Sequence, residues 1–72
     1  MTFPDMTPVD SSNVAALGHD ADGQILYVEF LDGSTYSYAG IDESTFENLR
    51  DAPSIGSYLN RVIKPHHPYQ KL

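Results

Sequence analysis

The 72-residue sequence contains no cysteine and no tryptophan. Without cysteine the chain forms neither disulfides nor a thiolate zinc site, which are the usual supports of very small secreted domains. We therefore expect a protein that works in a reducing, cytoplasmic setting. A chain this short forms one domain that buries roughly 60% of the surface exposed by its unfolded form, so its stability is only a few kcal/mol.

Long apolar segments and targeting signals are also missing. The apolar run at residues 25–28 is far too short to cross a membrane. Residues 1–5 contain neither the basic nor the apolar region of a secretory signal. The sequence thus predicts a soluble protein with no membrane partner.

Basic residues are scarce and confined to the C-terminal third. The chain has four Lys and Arg against ten Asp and Glu, a formal net charge of −6. Residues 1–49 contain nine acidic and no basic residues, whereas residues 50–72 contain all four basic residues and Asp51. The first part therefore carries −9 and the second +3. A field of the first sign repels nucleic-acid phosphates and favours basic protein partners.

The first half of the chain has the pattern of a β-meander. A modest apolar stretch at residues 14–17 precedes residues 24–30, which are rich in β-branched and aromatic side chains, and residues 34–39 alternate with period two. Asp-Gly pairs at positions 22–23 and 32–33 separate these runs. The pattern predicts two consecutive hairpins, and hence a three-stranded antiparallel meander.

The second hairpin has two alternative registers. A two-residue Asp32-Gly33 loop pairs Val28 with Ser37, whereas a three-residue loop starting at Leu31 pairs Val28 with Tyr36. The second register separates apolar from polar residues more cleanly, so we favour it. It gathers five apolar or aromatic residues on one face: Leu26, Val28, Phe30, Tyr36 and Tyr38.

Two short helices are predicted after the meander. Asp42 is a good N-cap, and Ile41 and Phe46 have the spacing of a hydrophobic staple, so the first helix should run to about Arg50 and stop before Pro53. Ser54 can cap a second helix. Its apolar stripe follows helical spacing: Ile55, Tyr58, Leu59, Val62 and Ile63. We predict an α+β fold in which both helices pack on one face of the sheet.

The chain ends are predicted to lie outside this domain. Residues 1–12, with Pro4 and Pro8, resemble an extended leader, and residues 13–63 form the single domain. Pro65 and Pro68 end the second helix, so residues 64–72 are predicted to be a flexible basic tail.

No metal or catalytic constellation is recognised. Asp20, Asp22, Gly23 and Glu29 match part of a calcium-binding loop, but Gly18 stands where its first ligand should be, and the flanks favour strands. The adjacent His66 and His67 lack a nearby third ligand, and His19 is predicted to be a surface residue.

The serines lack the nucleophile motif, and no phosphate loop or dinucleotide fingerprint is present. We expect no enzyme, cofactor, metal or small-molecule substrate.

The order and spacing of several short motifs resemble the KTSC domain family over about residues 6–64. The matching segments are Val9-Asp-Ser-Ser12, Ala16-Leu-Gly-His-Asp20, Leu26-Tyr-Val-Glu-Phe30, Asp32-Gly33, Tyr36-Ser-Tyr38, Gly40-Ile41 and Ala52-Pro-Ser54-Ile-Gly56-Ser-Tyr58-Leu-Asn60-Arg-Val-Ile63. The resemblance implies a small β-meander followed by helices. The family also occurs as the C-terminal extension of some lysyl-tRNA synthetases. In length and acidity the chain is also similar to small phage-encoded proteins that block host RNA polymerase.

Two functions follow as hypotheses. The first is a protein-binding regulator that inhibits a bacterial RNA polymerase by competing with DNA or a sigma factor. Its contact residues would be Arg61, Lys64, His66, His67, Tyr69 and Lys71. The alternative is an RNA-binding module that stacks bases on Tyr27, Tyr36 and Tyr38 and binds phosphates with the basic residues.

Overall fold

Within residues 5–72, five antiparallel strands form one sheet, in which the strands are neighbours in chain order. The computed structural model describes residues 5–72, so the first four residues of the predicted leader lie outside the described part. The strands are β1 (Thr7–Pro8), β2 (Val14–Asp20), β3 (Ile25–Phe30), β4 (Thr35–Ala39) and β5 (Tyr69–Lys71). The α+β class is confirmed, with five strands instead of the three predicted.

The favoured register of the β3–β4 hairpin is confirmed. Val28 pairs with Tyr36, and the three loop residues are 31–33. The Gly33 N–H donates to the Phe30 carbonyl at 3.0 Å, and Gly33 has a φ of +92°, the left-handed conformation that glycine adopts most easily. This register turns Leu26, Val28 and Tyr38 to one face, where they are buried.

The β2–β3 hairpin is confirmed, but its turn differs from the Asp-Gly turn expected. Strand β2 extends beyond the apolar stretch at residues 14–17 and continues through His19 and Asp20, and a four-residue loop at 21–24 follows. Asp20 Oδ1 accepts the backbone N–H groups of Asp22 and Gly23 at 3.1 and 3.2 Å. Gln24, at φ 55°, takes the left-handed position instead of the glycine.

Both predicted helices are present. Helix α1 (Glu43–Arg50) begins after Asp42, whose Oδ1 accepts the Thr45 N–H at 2.8 Å. Helix α2 (Ile55–Tyr58) begins after Ser54, whose Oγ accepts the Ser57 N–H at 3.4 Å. Helix α2 then widens into a π-helical turn (Leu59–Ile63), in which the Lys64 N–H reaches the Leu59 carbonyl at 2.9 Å.

The core lies between the sheet and these helices. Its buried members come from three strands, the β4–α1 linker and the helical segments: Val14, Leu17, Leu26, Val28, Tyr38, Ile41, Leu49, Ile55, Leu59 and Ile63. Val62, predicted to belong to the apolar stripe, is 36% exposed. The wider π-helical turn changes the angular spacing of side chains, which leaves Val62 at the surface while Leu59 and Ile63 stay buried.

The prediction of a separate C-terminal tail is wrong. Strand β5 pairs with β4, placing Tyr69 opposite Tyr38 and Lys71 opposite Tyr36. The Ala39 N–H donates to the Pro68 carbonyl at 3.0 Å. The edge of β4 would otherwise expose unpaired backbone groups, and the returning chain end satisfies them. At the opposite edge, the predicted leader contributes β1, which pairs with β2.

Candidate functional site

A groove of about 290 Å³ lies beside β4 and β5 and is bounded by the end of the π-helical turn. Aromatic and charged side chains converge in this groove. We call it the tyrosine groove. Its lining residues are Phe30, Asp32, Ser34, Tyr36, Tyr38, Lys64 and Tyr69.

Strand register brings the rings of the groove together. Tyr36 and Tyr38 are two residues apart on β4 and share a face, and Tyr69 is directly opposite Tyr38 on β5. The Tyr69 ring centroid lies 5.9 Å from those of both Tyr36 and Tyr38. Phe30 meets Tyr36 edge to face at 5.6 Å. The four rings therefore form a continuous aromatic wall.

Burial falls off along this wall from the core to the surface. Tyr38 is 1% exposed and Tyr69 62% exposed, with Tyr36 half-buried between them. Burial raises the pKa of the Tyr38 hydroxyl, and the neighbouring Tyr36 and Tyr69 add to the effect. Tyr38 thus supports the wall, whereas Tyr69 presents its ring to solvent.

The groove carries both signs of charge. Lys64 lines it, and Lys71 pairs with Tyr36 and so lies on the same face of the sheet. Asp32 Oδ1 accepts hydrogen bonds from the Ser34 hydroxyl at 2.6 Å and the Ser34 N–H at 2.9 Å. These two bonds, with a smaller contribution from the Lys71 charge, lower the pKa of Asp32 and favour its ionised form.

Two histidines hold the linker between β4 and α1. His19 Nε2 donates to the Ile41 carbonyl at 2.7 Å, and its ring stacks on Phe46 at 4.9 Å. His67 Nδ1 donates to the Ala39 carbonyl at 3.0 Å. His19, predicted to be a surface residue, is therefore a half-buried structural residue that joins β2 to the linker and the first helix.

The predicted protein-contact residues do not share one surface. Lys64 and Tyr69 line the tyrosine groove, and Lys71 lies on the same face of the sheet opposite Tyr36, whereas His67 packs beside the β4–α1 linker. His66 is exposed, and Arg61 lines a separate cleft beside helix α2. Sequence reasoning missed that Phe30, Asp32 and Ser34 belong to the same site as the C-terminal residues.

The predicted RNA-stacking tyrosines do not form one platform. Tyr27 pairs with Ser37 and lies on the opposite face from Tyr36 and Tyr38. Tyr27 is also buried, with 7% of its surface exposed, and Tyr38 is more buried still. Of the three predicted tyrosines, Tyr36 alone has a partly accessible ring. The exposed ring next to it belongs to Tyr69, which was not in the predicted stacking set.

Within residues 5–72, no three His, Asp or Glu side chains converge in the manner of a metal site. The Asp20 carboxylate, part of the rejected calcium pattern, instead binds backbone N–H groups of its own turn. None of the helices in this part of the chain is long and apolar enough to span a membrane.

Several proteins resemble this chain over most of its length. A protein of Stutzerimonas stutzeri is 39% identical over 82% of this chain and 83% of its own length. A protein of Tsukamurella paurometabola is 40% identical over 83% of this chain and 90% of its own. A lysine–tRNA ligase of Nostoc punctiforme is 32% identical over the whole chain, which corresponds to 13% of the ligase.

The fold is shared with a solved structure. The crystal structure of a KTSC domain protein from Yersinia pestis superimposes with a TM-score of 0.87 at 33% identity, covering 94% of this chain and 96% of that one. The family model of the KTSC domain matches residues 10–69, which include strands β2 to β4, both helices and the first residue of β5. The chain belongs to the KTSC domain family.

Proposed function

We propose that this chain is a non-catalytic regulator that binds another protein, most concretely a subunit of bacterial RNA polymerase, and inhibits transcription by competing with DNA or a sigma factor. The observation that carries the proposal is the separation of charge along the chain, −9 over residues 1–49 and +3 over residues 50–72. An acidic surface suits the basic channels and clefts that accept DNA or acidic proteins.

Helix α1 supplies the acidic surface. Glu43, Glu47 and the C-cap residue Asp51 are exposed and follow one another at four-residue intervals, so they line one side of the helix and its C-terminal end. Arg50 lies 3.9 Å from Glu47 and 3.4 Å from Asp51. These ion pairs are exposed and therefore weak, so the ridge remains predominantly negative. We call these three carboxylates the acidic ridge.

The tyrosine groove supplies a second, different contact. Tyrosine is enriched among the residues that dominate binding energy at protein interfaces. Tyr69 is 62% exposed in the groove, with Lys64 in the same lining and Lys71 on the same face of the sheet. In the proposed mechanism the acidic ridge attracts a basic partner surface, and the groove fixes the orientation. Electrostatic attraction of this kind speeds association and weakens as salt is added.

RNA binding is the second candidate function. It is favoured by Lys64 and the exposed Tyr69 in one groove, with Lys71 on the same face of the sheet, because single-stranded RNA is bound by ring stacking and by cations on its backbone. A related segment also belongs to lysine–tRNA ligases. The version that uses Tyr27 is not supported, because that ring is buried on the opposite face.

Capture of polymerase from a bacterial lysate tests the leading proposal. The immobilised chain should retain polymerase subunits at about 50 mM salt and release them at about 500 mM, where exposed charges are screened. Neutralising the ridge with Glu43→Gln and Glu47→Gln should reduce the retained amount. Asp10→Asn with Asp22→Asn removes the same charge from exposed sites elsewhere and serves as the control. No polymerase subunit retained at low salt would overturn the proposal.

A further inference from the structure

We propose that the tyrosine groove binds one nucleotide, with its base stacked on the Tyr69 ring and its phosphate bound by Lys64 and Lys71. This inference rests on RNA binding, the second candidate function, and assigns its contacts to one site. Ridge variants distinguish it from polymerase binding, since the acidic ridge and the groove have no residue in common.

The aromatic wall offers a surface of the right kind for a base. Tyr69 is 62% exposed and is supported from below by Tyr36 and Tyr38, each with a ring centroid 5.9 Å away. A supported ring loses little freedom when a ligand stacks on it, because its orientation is already restricted by its neighbours. Every base has a π-face, so such stacking tolerates any sequence.

The size of the groove limits how much ligand it can hold. Its volume of about 290 Å³ is just below the usual range of ligand sites, which span roughly 300–1,000 Å³. This space suits one base with its sugar, whereas a nucleic-acid duplex exceeds it. The groove therefore suits a single unstacked unit of a strand, or a free mononucleotide.

The charges of the groove orient such a ligand. Lys64 and Lys71 are exposed on the face that bears the rings, and their ammonium groups attract a phosphate. Asp32 is acceptor-only when ionised, and its hydrogen bonds to Ser34 hold it in place. The Asp32 carboxylate repels a phosphate and can accept a hydrogen bond from a sugar hydroxyl or from an amino group of a base. Phosphate and sugar are thereby directed to different parts of the groove.

The lysines matter because the rest of the surface opposes this ligand. The chain carries a net charge of −6, so a phosphate is attracted only where cations are locally concentrated. Arg50 is placed between the carboxylates of Glu47 and Asp51. Arg61 lies in another cleft and provides a natural comparison for Lys64.

Binding is tested with two probes at about 50 mM salt, where electrostatic attraction to a strand is strong. The first is a fluorescein-labelled single-stranded hexa-adenylate, followed by anisotropy, and the second is AMP, followed by chemical shifts of the Tyr69 ring. We expect Tyr69→Ser to weaken binding about 5-fold to 100-fold, as removal of a stacking ring does, and Tyr69→Phe to restore it. Lys64→Ala should weaken binding, whereas Arg61→Ala should leave it within about 2-fold.

Circular dichroism of each variant shows whether it is folded. If Tyr69→Ser disturbs β5, the comparison of Lys64→Ala with Arg61→Ala still tests the proposal, because neither substitution changes β5. If both probes bind, the groove accepts a free mononucleotide as well as a nucleotide within a strand. If the hexa-adenylate alone binds, the ligand is a nucleotide within a single strand. Either result supports the proposal. The proposal is overturned if neither probe binds, or if Lys64→Ala and Arg61→Ala weaken binding equally. It is also overturned if Tyr69→Ser and Lys64→Ala abolish capture of a protein partner while no nucleotide binds.

Discussion

At the residue scale, the core depends on a few large side chains in a small domain. Leu59 is 2% exposed and packs in the principal cluster, so Leu59→Ala should lower the free energy of unfolding by about 2–5 kcal/mol. Because a domain of this size has only a few kcal/mol in total, the variant should be partly or wholly unfolded. Urea denaturation followed by circular dichroism measures the change.

Val62 provides the matched control for this substitution. It belongs to the same π-helical turn but is 36% exposed, so Val62→Ala should cost less than about 1 kcal/mol. Equal losses for the two variants would contradict the assignment of Leu59, and not Val62, to the core.

Tyr38 predicts how stability responds to alkali. Burial, aided by Tyr36 and Tyr69, raises the pKa of the Tyr38 hydroxyl above its usual value of 10.0. The folded state therefore favours the neutral phenol. The stability that the neutral phenol contributes is complete below the usual pKa and is lost as the pH rises through the raised pKa of the folded state. Between about pH 9 and pH 11 the urea midpoint should fall less in Tyr38→Phe than in the wild-type chain. The same fall in both proteins would show that Tyr38 does not govern this response.

At the element scale, β5 completes the sheet, so its removal should be felt beyond its own residues. Deleting residues 69–72 removes the pairing with β4, including the bond from the Leu72 N–H to the Thr35 carbonyl at 2.8 Å. We expect the free energy of unfolding to fall by about 1–3 kcal/mol, because a few backbone hydrogen bonds of roughly 0.5–1.5 kcal/mol each are lost. Faster hydrogen exchange of the Ala39 amide, which donates to Pro68, should accompany it.

Full-length Tyr69→Ala separates the two contributions of β5, because it removes the ring and keeps the backbone pairing. Tyr69→Ala should lower the free energy of unfolding by less than the deletion does. A deletion variant with wild-type stability and wild-type exchange at Ala39 would mean that residues 69–72 act as a dispensable tail.

The helix cap at Asp42 predicts the response to acid. The hydrogen bonds from the Thr45 side chain and backbone N–H lower the pKa of Asp42 from 3.8, and the charges of His19 and His67 add smaller effects. The stability that the ionised carboxylate contributes is complete above its usual pKa and is lost as pH falls through the lowered one. Asparagine also caps helices but does not titrate in this range. Asp42→Asn should therefore lose less stability than wild type between about pH 5 and pH 2, measured by thermal denaturation. An identical acid response would contradict this role.

Local signals predicted those elements whose determinants lie close together in the chain. The alternation around Tyr36 and Tyr38 and the glycine at position 33 were sufficient for the β3–β4 register, and Asp42 and Ser54 marked both helix starts. Strand β5 was missed because it is three residues long, follows Pro68 and pairs with a distant strand. Its partner is chosen by the free edge of β4, and no short sequence window contains that information.

The same limitation affected the candidate site. Lys64, Tyr69 and Lys71 were proposed as contact residues from their chemistry alone. Their proximity to Tyr36 and Asp32 depends on β5 pairing, and was therefore not predicted. The π-helical turn was also missed, since the stripe from Ile55 to Ile63 fits an ordinary helix equally well.

At the scale of the whole molecule, the charge division along the chain becomes two surfaces. The acidic ridge lies along α1 and its C-cap, at residues 43–51, whereas Lys64 and Lys71 lie in or beside the tyrosine groove, after the π-helical turn. A partner with a basic patch can bind the acidic ridge, whereas the tyrosine groove offers aromatic rings and a lysine ammonium group. Opposite charges at two places orient an encounter, which a uniformly acidic molecule cannot do.

Titration of the fluorescently labelled chain with purified bacterial RNA polymerase core enzyme tests the leading proposal most directly. Anisotropy should show saturable binding at about 50 mM salt that weakens steadily up to about 500 mM, and the affinity should fall in Glu43→Gln/Glu47→Gln but not in Asp10→Asn/Asp22→Asn. Absence of binding at the lowest salt, or equal affinity of both charge variants, would contradict the account.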